Sequence, residues 1–330
     1  MKTSKSWVST GVIIGLLAGT THAVNIDTVP VGNPGNVADT HGTPGYGSVG
    51  YTYNIGKYEV TAGQYCEFLN KVAATDTYGL YNTYMWSTTY GCKIQQSGTS
   101  GSYTYSVASD YANRPVNYVS YWDACRFANW LHNGQPAGPQ GTATTETGAY
   151  TLNGYNYSGG RTIPRNADWT WAITSEDEWY KAAYYQGGST DADYYDFPTS
   201  SNTVPGRDLD DESGNNANYY GDPWPIQSPY YATLAGEFQN STSPYGTFDQ
   251  GGNAKEWTET IREGIYRGVR GGSFRTSYQS LLASYRIYEG EMAQWDDIGF
   301  RVVAVPEPAT LSLLALAGIG LFTRKHSRAL

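Results

Sequence analysis

Histidine is nearly missing from this 330-residue chain, which has four, and cysteine and methionine number three each. Three cysteines cannot make a disulfide framework. His22 and His326 fall near the two ends, so only His41 and His132 remain between them, on separate segments without i, i+4 pairing. That argues against a histidine-based zinc or iron centre and leaves a Ser/His/Asp triad little choice of base. Cations are scarce too: 21 Lys and Arg stand against 30 Asp and Glu, and the pI is near 4.9. A protein that tracks phosphates needs clustered Lys and Arg, so nucleic acid is excluded as a partner. Charged residues make up only 15% of the chain, yet aromatic residues make up another 15%, which excludes global disorder. What is plentiful is tyrosine and glycine, 31 and 39 residues, with ten Trp. That composition points to a loop-rich extracytoplasmic protein.

The two ends read as targeting segments. Lys2 and Lys5 precede an apolar stretch, and Thr21-His22-Ala23 offers a small-x-small cleavage site. Residues 1–23 are expected to be a secretory signal peptide removed by signal peptidase after Ala23. At the other end Val305-Pro306-Glu307-Pro308 leads into fourteen mostly apolar residues, Ala309 to Phe322, and then a basic tip with Arg324, Lys325 and Arg328. As a helix the apolar run would be about 21 Å long, short of the roughly 30 Å hydrocarbon core. It suits transient membrane anchoring, with the basic tip cytoplasmic. Residues 24–305 keep 16 basic and 29 acidic residues, a balance that suits cation binding and extracellular life.

Three helix starts are readable between the ends. Thr61-x-x-Gln64, Ser120-x-x-Asp123 and Ser175-x-x-Glu178 are capping boxes. The first is followed by Tyr65, Phe68, Leu69 and Val72 at helical spacing, the second by Ala124, Phe127, Ala128 and Leu131. Strands are expected at Tyr51–Tyr58, Tyr150–Leu152, Arg267–Val269 and Phe300–Val303. The stretches 76–113 and 186–247 read as long loops, which are usually functional or held by ions. No repeat or linker is visible, so 24–304 reads as one α+β domain.

Several strings arrive in a telling order. They are Ile55-Gly-Lys-Tyr-Glu-Val-Thr61, Arg114-Pro-Val116 with Val119-Ser-Tyr-Trp-Asp-Ala124, and Ser175-Glu-Asp-Glu-Trp-Tyr-Lys-Ala-Ala183. Tyr245-Gly-Thr-Phe-Asp249 follows, then Gly252-Asn-Ala-Lys-Glu-Trp257, Arg270-Gly-Gly-Ser-Phe274 and Gly299-Phe-Arg-Val302. Together they resemble the formylglycine-generating-enzyme, or sulfatase-modifying-factor, domain over about 250 residues. The resemblance implies a variant of the C-type lectin fold: loop-rich, with a small twisted sheet, two or three helices and ions holding loops. Residues 305–330, with Pro306, Glu307 and Pro308 at their head, resemble the PEP-CTERM sorting signal of Gram-negative bacteria. That implies recognition by an exosortase and delivery to the cell envelope or extracellular matrix.

The resemblance also implies ligands and roles. One calcium site would take Asp249, the carbonyls of Gly252 and Ala254, and the carboxylate of Glu256. A second, weaker site would begin at Asn218 with the Tyr219 carbonyl, and Asp222 is the nearest substitute for its missing acid. Hard cations take such carboxylates and carbonyls from irregular loops. Trp257, Arg270, Ser273 and Arg301 are candidates to line a ligand pocket. The same residue types also serve as a buried indole and internal ion pairs. The family's chemistry needs two thiols that bind copper and engage a substrate cysteine. Counting along this chain, those positions are Thr276 and Leu281, so neither the nucleophile nor the copper ligand is there. Cys66, Cys92 and Cys125 lie elsewhere; Cys66 and Cys125 read either as core residues or as an oxidised pair. The expected function is that of a binding or structural module, with a glycan or matrix component as ligand because Tyr and Trp faces supply rigid contact area. An oxidoreductase-type enzyme using another site on the same scaffold is the alternative.

Overall fold

The computed structural model describes residues 23–157 and 162–306. The leader through His22 and the tail from Glu307, including Pro308, the apolar run and the basic tip, lie outside the described residues. Among the described residues no helix is long and apolar enough to cross a membrane.

Each capping box opens a helix. Thr61 caps α1 (Ala62–Val72), and a single turn, α2 (Tyr84–Ser87), follows. Ser120 caps α3 (Tyr121–His132) and Ser175 caps α4 (Glu176–Tyr184). In all three boxes the cap hydroxyl accepts from the backbone three residues on, and that residue's side chain accepts from the cap N–H, so two orphan donors are satisfied at once. The apolar face of α1 meets α3 through aromatic rings: Phe68 lies 5.3 Å from Phe127 and 5.2 Å from Trp130 between centroids. Phe127 in turn packs 5.4 Å from Phe300.

The strands are short. In chain order they are β1 (Thr28–Val31), β2 (Tyr53–Gly56), β3 (Ile94–Ser97), β4 (Thr104–Val107), β5 (Trp171–Ile173), β6 (Lys255–Arg262), β7 (Tyr266–Arg270), β8 (Ile287–Gly290), β9 (Ile298–Gly299) and β10 (Val302–Ala304). One sheet has the order β1-β2-β10-β5, a second β8-β7-β6-β9, and β3-β4 is a separate hairpin. Within the first sheet every pairing is antiparallel, with Val303 opposite Ile55 on one side and Ala172 on the other. Pro30 sits on β1, an edge strand, where a missing N–H is tolerated.

Two expectations change. The stretch 76–113 is not one loop: it holds α2 and the β3-β4 hairpin. The strand expected at Tyr150–Leu152 does not form, because Asn129 has taken its place as partner. The Tyr150 N–H donates to Asn129 Oδ1 at 2.8 Å, and Asn129 Nδ2 donates to the Tyr150 carbonyl at 2.9 Å. The other three expected strands appear as β2 and β10, both shorter than expected, and β7, longer by one residue at each end. The stretch 186–247 carries only isolated bridges.

A buried ion pair ties the two larger sheets together. Arg301, between β9 and β10, donates from Nε and Nη2 to Glu256 of β6, both at 2.6 Å. Its remaining N–H groups reach the carbonyls of Gly56 on β2 and Phe248, both at 2.9 Å. Trp179 of α4 adds an indole N–H to Glu256 Oε2 at 2.7 Å. Both charged side chains are fully buried. A second knot joins Glu176, at the start of α4, to Arg270 and Arg286 at 2.7 Å each. A third joins Arg165 to Glu178 and Glu259.

Cys66, Cys92 and Cys125 are free and buried, so the oxidised Cys66–Cys125 pair is not formed. Burial pushes their thiols up to about 12, about 11 and about 12 respectively. Ellman's reagent should therefore find no fast-reacting thiol in the native protein and three after denaturation; a single thiol in denaturant would mean a disulfide. For the central pair, Arg301→Met strands a buried carboxylate and should lower the stability read from urea unfolding by about 3–5 kcal/mol. The double variant Glu256→Gln with Arg301→Met should lose clearly less than the sum of the two single losses.

Candidate functional site

The residues expected around calcium come together, but with altered partners. Gly252 has φ +87°, and a side chain there would meet the Asn218 carbonyl oxygen at 2.3 Å. Only glycine fits such a position. The Asn253 N–H donates to that same carbonyl at 2.8 Å. The Asn218 and Gly252–Glu256 segments therefore abut. Glu256 is turned to Arg301 and Trp179. Asp249 accepts from the Gly236 N–H at 2.6 Å, and burial pushes its carboxyl up to about 6. A residue the sequence reading passed over, Glu59, joins them: it accepts from the Ala254 N–H at 3.0 Å and from Asn253 Nδ2 at 3.2 Å. Burial, with Asp249 and Glu256 nearby, pushes Glu59 well above the usual carboxylate range. Three buried carboxylates thus face one guanidinium.

At the second segment Asn218 Oδ1 is buried and finds no hydrogen-bond partner among the described residues. The Tyr219 carbonyl accepts from Arg207 Nε at 2.8 Å, and Arg207 also reaches the Pro223 carbonyl at 2.7 Å. Asp222 lies near that guanidinium and adds negative charge beside it. Among the described residues no group of three or more His, Cys, Asp or Glu side chains converges to hold a metal ion. Any ion here would lean on carbonyl and amide oxygens.

The four pocket candidates are interior residues. Trp257 donates its indole N–H to the Val119 carbonyl at 3.0 Å, and Arg270 and Arg301 are spent on Glu176 and Glu256. All four candidates, Ser273 included, are buried. Ser273 is joined to a surface cavity through Asp297. Its hydroxyl donates to Asp297 Oδ2 at 2.7 Å, and Asp297 Oδ1 faces Lys255 Nζ at 3.2 Å. The Thr276 hydroxyl accepts from the Ser273 N–H at 2.8 Å and closes a turn. Leu281 is buried in a small apolar cluster with Phe197 and Ala217.

Beside Ser273 opens a cavity of about 510 Å³. Lys255 and Asp297 form its floor, with Arg275 paired to Asp296 next to them. Burial raises the Asp296 carboxyl above its ordinary value, and Asp297 beside it adds to this while Arg275 opposes. Trp295 stands at the wall with half its surface exposed (53%), its indole N–H held by Glu289 Oε2 at 3.1 Å. Tyr118 completes the wall in a left-handed conformation, φ 57°, with its N–H on the Trp295 carbonyl at 3.0 Å. A bulky residue in that region signals strain of the kind found at working sites. Next to Arg275 an aromatic group is assembled from Tyr90, Trp224, Tyr231 and Phe274. Of the residues in and beside this cavity, the sequence pointed to Ser273 and not to Lys255, Trp295 or Asp297. Trp295-Asp296-Asp297 just before the Gly299-Phe300-Arg301 string was the available signal.

Comparison with known proteins places the fold. Residues 28–305 match the model of the sulfatase-modifying factor enzyme 1-like domain, and residues 304–328 match the PEP-CTERM protein-sorting motif. Among solved structures, the crystal structure of CarF superposes with a TM-score of 0.52 at 18% identity, covering 86% of this chain and 100% of that one. Treponema denticola variable protein 1 gives 0.51 at 18% identity, covering 87% and 98%. At such identities the likeness speaks for the fold alone. A search of curated proteins finds no match. The PEP-CTERM motif marks an exported protein, processed by exosortase, of the Gram-negative envelope or extracellular space. With the family match spanning most of its length, the chain belongs to the sulfatase-modifying factor enzyme 1-like family and adopts that family's loop-rich α+β, C-type-lectin-like fold.

Proposed function

We propose that this domain binds a neutral saccharide of the envelope or matrix in the cavity beside Ser273 and carries out no thiol chemistry there. The observation that carries the reading is Trp295: an exposed indole, pinned by Glu289, over a floor whose charges are already paired. A flat apolar face with a fixed orientation suits the C–H face of a sugar ring, and Tyr and Trp give such contact at low entropic cost. The pairs Lys255–Asp297 and Arg275–Asp296 offer donors and acceptors side by side, as a ring of hydroxyls needs. With Glu289 the wall carries one net negative charge, which disfavours uronates and other acidic sugars. Thr276 and Leu281 supply no thiolate, so the copper-dependent step has neither metal ligand nor nucleophile. The sorting tail is read as a transient membrane anchor, removed when exosortase hands the domain on.

Screening residues 24–305 on a glycan array should give neutral oligosaccharide hits. Titration with those hits should then show Trp295→Ala weakening affinity about tenfold or more, the range of a buried aromatic anchor. Trp86→Ala, an exposed indole outside the cavity, should change nothing. Turnover of a cysteine-containing sulfatase peptide with copper and oxygen supplied would overturn the non-catalytic reading.

A structural calcium ion is a second part of the proposal. The unpartnered Asn218 Oδ1 and the surplus of buried carboxylate at Asp249 and Glu59 support it. Asp249 would hold the ion with the carbonyls of Gly252 and Ala254, while Glu256 keeps its place on Arg301; the free Asn218 oxygen would belong to the second, weaker site. A ligand bound only by the folded state adds about 2.7 kcal/mol at a hundredfold excess over Kd. Chelation should lower the melting temperature by several degrees, and calcium should restore it. With the ion present Asp249→Asn should destabilise; if it stabilises and chelator has no effect, the site holds no ion.

A further inference from the structure

We propose that, before its tail is cut, the domain rests on the lipid bilayer with the face formed by Tyr51, Thr52, Trp169 and Val305. This inference rests on the reading of the tail as a membrane-inserted sorting segment.

The first observation is how little chain separates the fold from the tail. The domain match runs to residue 305 and the sorting match begins at 304, so the two overlap and no spacer lies between them. Strand β10 is an interior strand of its sheet, held by β2 and β5, and the Val305 N–H still donates to the Thr170 carbonyl at 3.0 Å. Only Pro306, Glu307 and Pro308 stand between Val305 and the apolar run that starts at Ala309. Fully extended, the four steps from Val305 to Ala309 span at most about 14 Å. With Ala309 at the edge of the hydrocarbon, the headgroup layer takes about 5–7 Å of that reach. The remaining reach of about 7–9 Å keeps Val305, and the side chains around it, close to the membrane surface.

The second observation is what that face carries. Val305 lines a cavity of about 270 Å³ together with Tyr51, Thr52 and Trp169. Tyr51 and Val305 are 46% and 44% exposed. The two rings are fixed from behind by one ion-pair knot. The Tyr51 hydroxyl donates to Glu178 Oε1 at 2.8 Å, and the Arg165 guanidinium, paired to that same Glu178, lies 4.3 Å from the Trp169 ring. The result is a rigid Tyr–Trp platform with a small apolar recess between its members. Tyrosine and tryptophan are the residues that favour the headgroup level of a bilayer, with an apolar body and one polar end. Tether length and surface chemistry are independent observations and point to one partner, a lipid surface. Cutting at Pro306–Pro308 removes the tether and leaves the platform alone, which is too small to hold the domain.

The full chain, reconstituted in phosphatidylethanolamine–phosphatidylglycerol vesicles, tests this. An environment-sensitive fluorophore is placed at Thr52→Cys or, as control, at Ser213→Cys on an exposed loop. The three native thiols are buried and do not compete for the label. The expected result is a blue shift at Thr52 with loss of most iodide quenching, and no change at Ser213. Residues 24–305 with the same labels and vesicles should show neither effect. A Thr52 probe as open to iodide as the Ser213 probe, with the tail resistant to carbonate extraction, overturns the docking inference alone. A tail that carbonate extracts overturns the anchor reading and the docking inference with it.

Discussion

One buried arginine does more to hold this molecule than any run of regular structure. Arg301 has carboxylate oxygens of Glu256 on one side and the carbonyls of Gly56 and Phe248 on the other, so a single side chain joins a strand from each large sheet and a loop. The constraint follows from the sequence composition. Strands of two to eight residues cannot bury enough area to hold two sheets in register by packing alone. Charge-assisted, bidentate hydrogen bonds supply the missing direction. The cost of hiding two ions is offset only because every donor and acceptor is met. The same device recurs at Glu176 with Arg270 and Arg286, and at Glu178 with Arg165.

These pairs hold the frame on which the surface beside Ser273 is built. Lys255 and Asp297 sit on or beside β6 and β9, which Arg301 keeps parallel and adjacent. Trp295 and Tyr118 arrive from distant stretches of chain and meet through one backbone hydrogen bond. The cavity is therefore a product of the frame and not of any local motif. Thr276 and Leu281 both serve that frame: the Thr276 hydroxyl closes a turn on the Ser273 N–H, and Leu281 packs in a small apolar cluster.

Local chemistry was legible in the sequence, and distant pairing was not. Thr61, Ser120 and Ser175 announce their helices because a capping box is complete within four residues. Arg270, Arg301 and Trp257 could be read as internal ion pairs and a buried indole, and that is what they are. As candidates to line a pocket they lie inside the frame, buried among their own partners. Tyr150–Leu152 looked like a strand because its residues favour one, but the backbone groups of Tyr150 were satisfied by a side chain, Asn129, that no period reveals. Glu59 went unnoticed as a partner of Asp249 because nearly two hundred residues separate them. The Lys255–Asp297 floor and the Tyr118–Trp295 wall escaped for the same reason.

The central claim is that the working face of this domain is the Trp295 cavity and that the arginine-held interior stays passive. Tryptophan indole resonances of the mature domain report on both at once. Adding a neutral oligosaccharide should move the Trp295 Nε1–H signal, which Glu289 now holds. The signals of Trp179 and Trp257, locked on Glu256 and the Val119 carbonyl, should stay where they are. A saccharide that binds and leaves Trp295 unmoved, or that shifts the two buried indoles instead, would contradict the account.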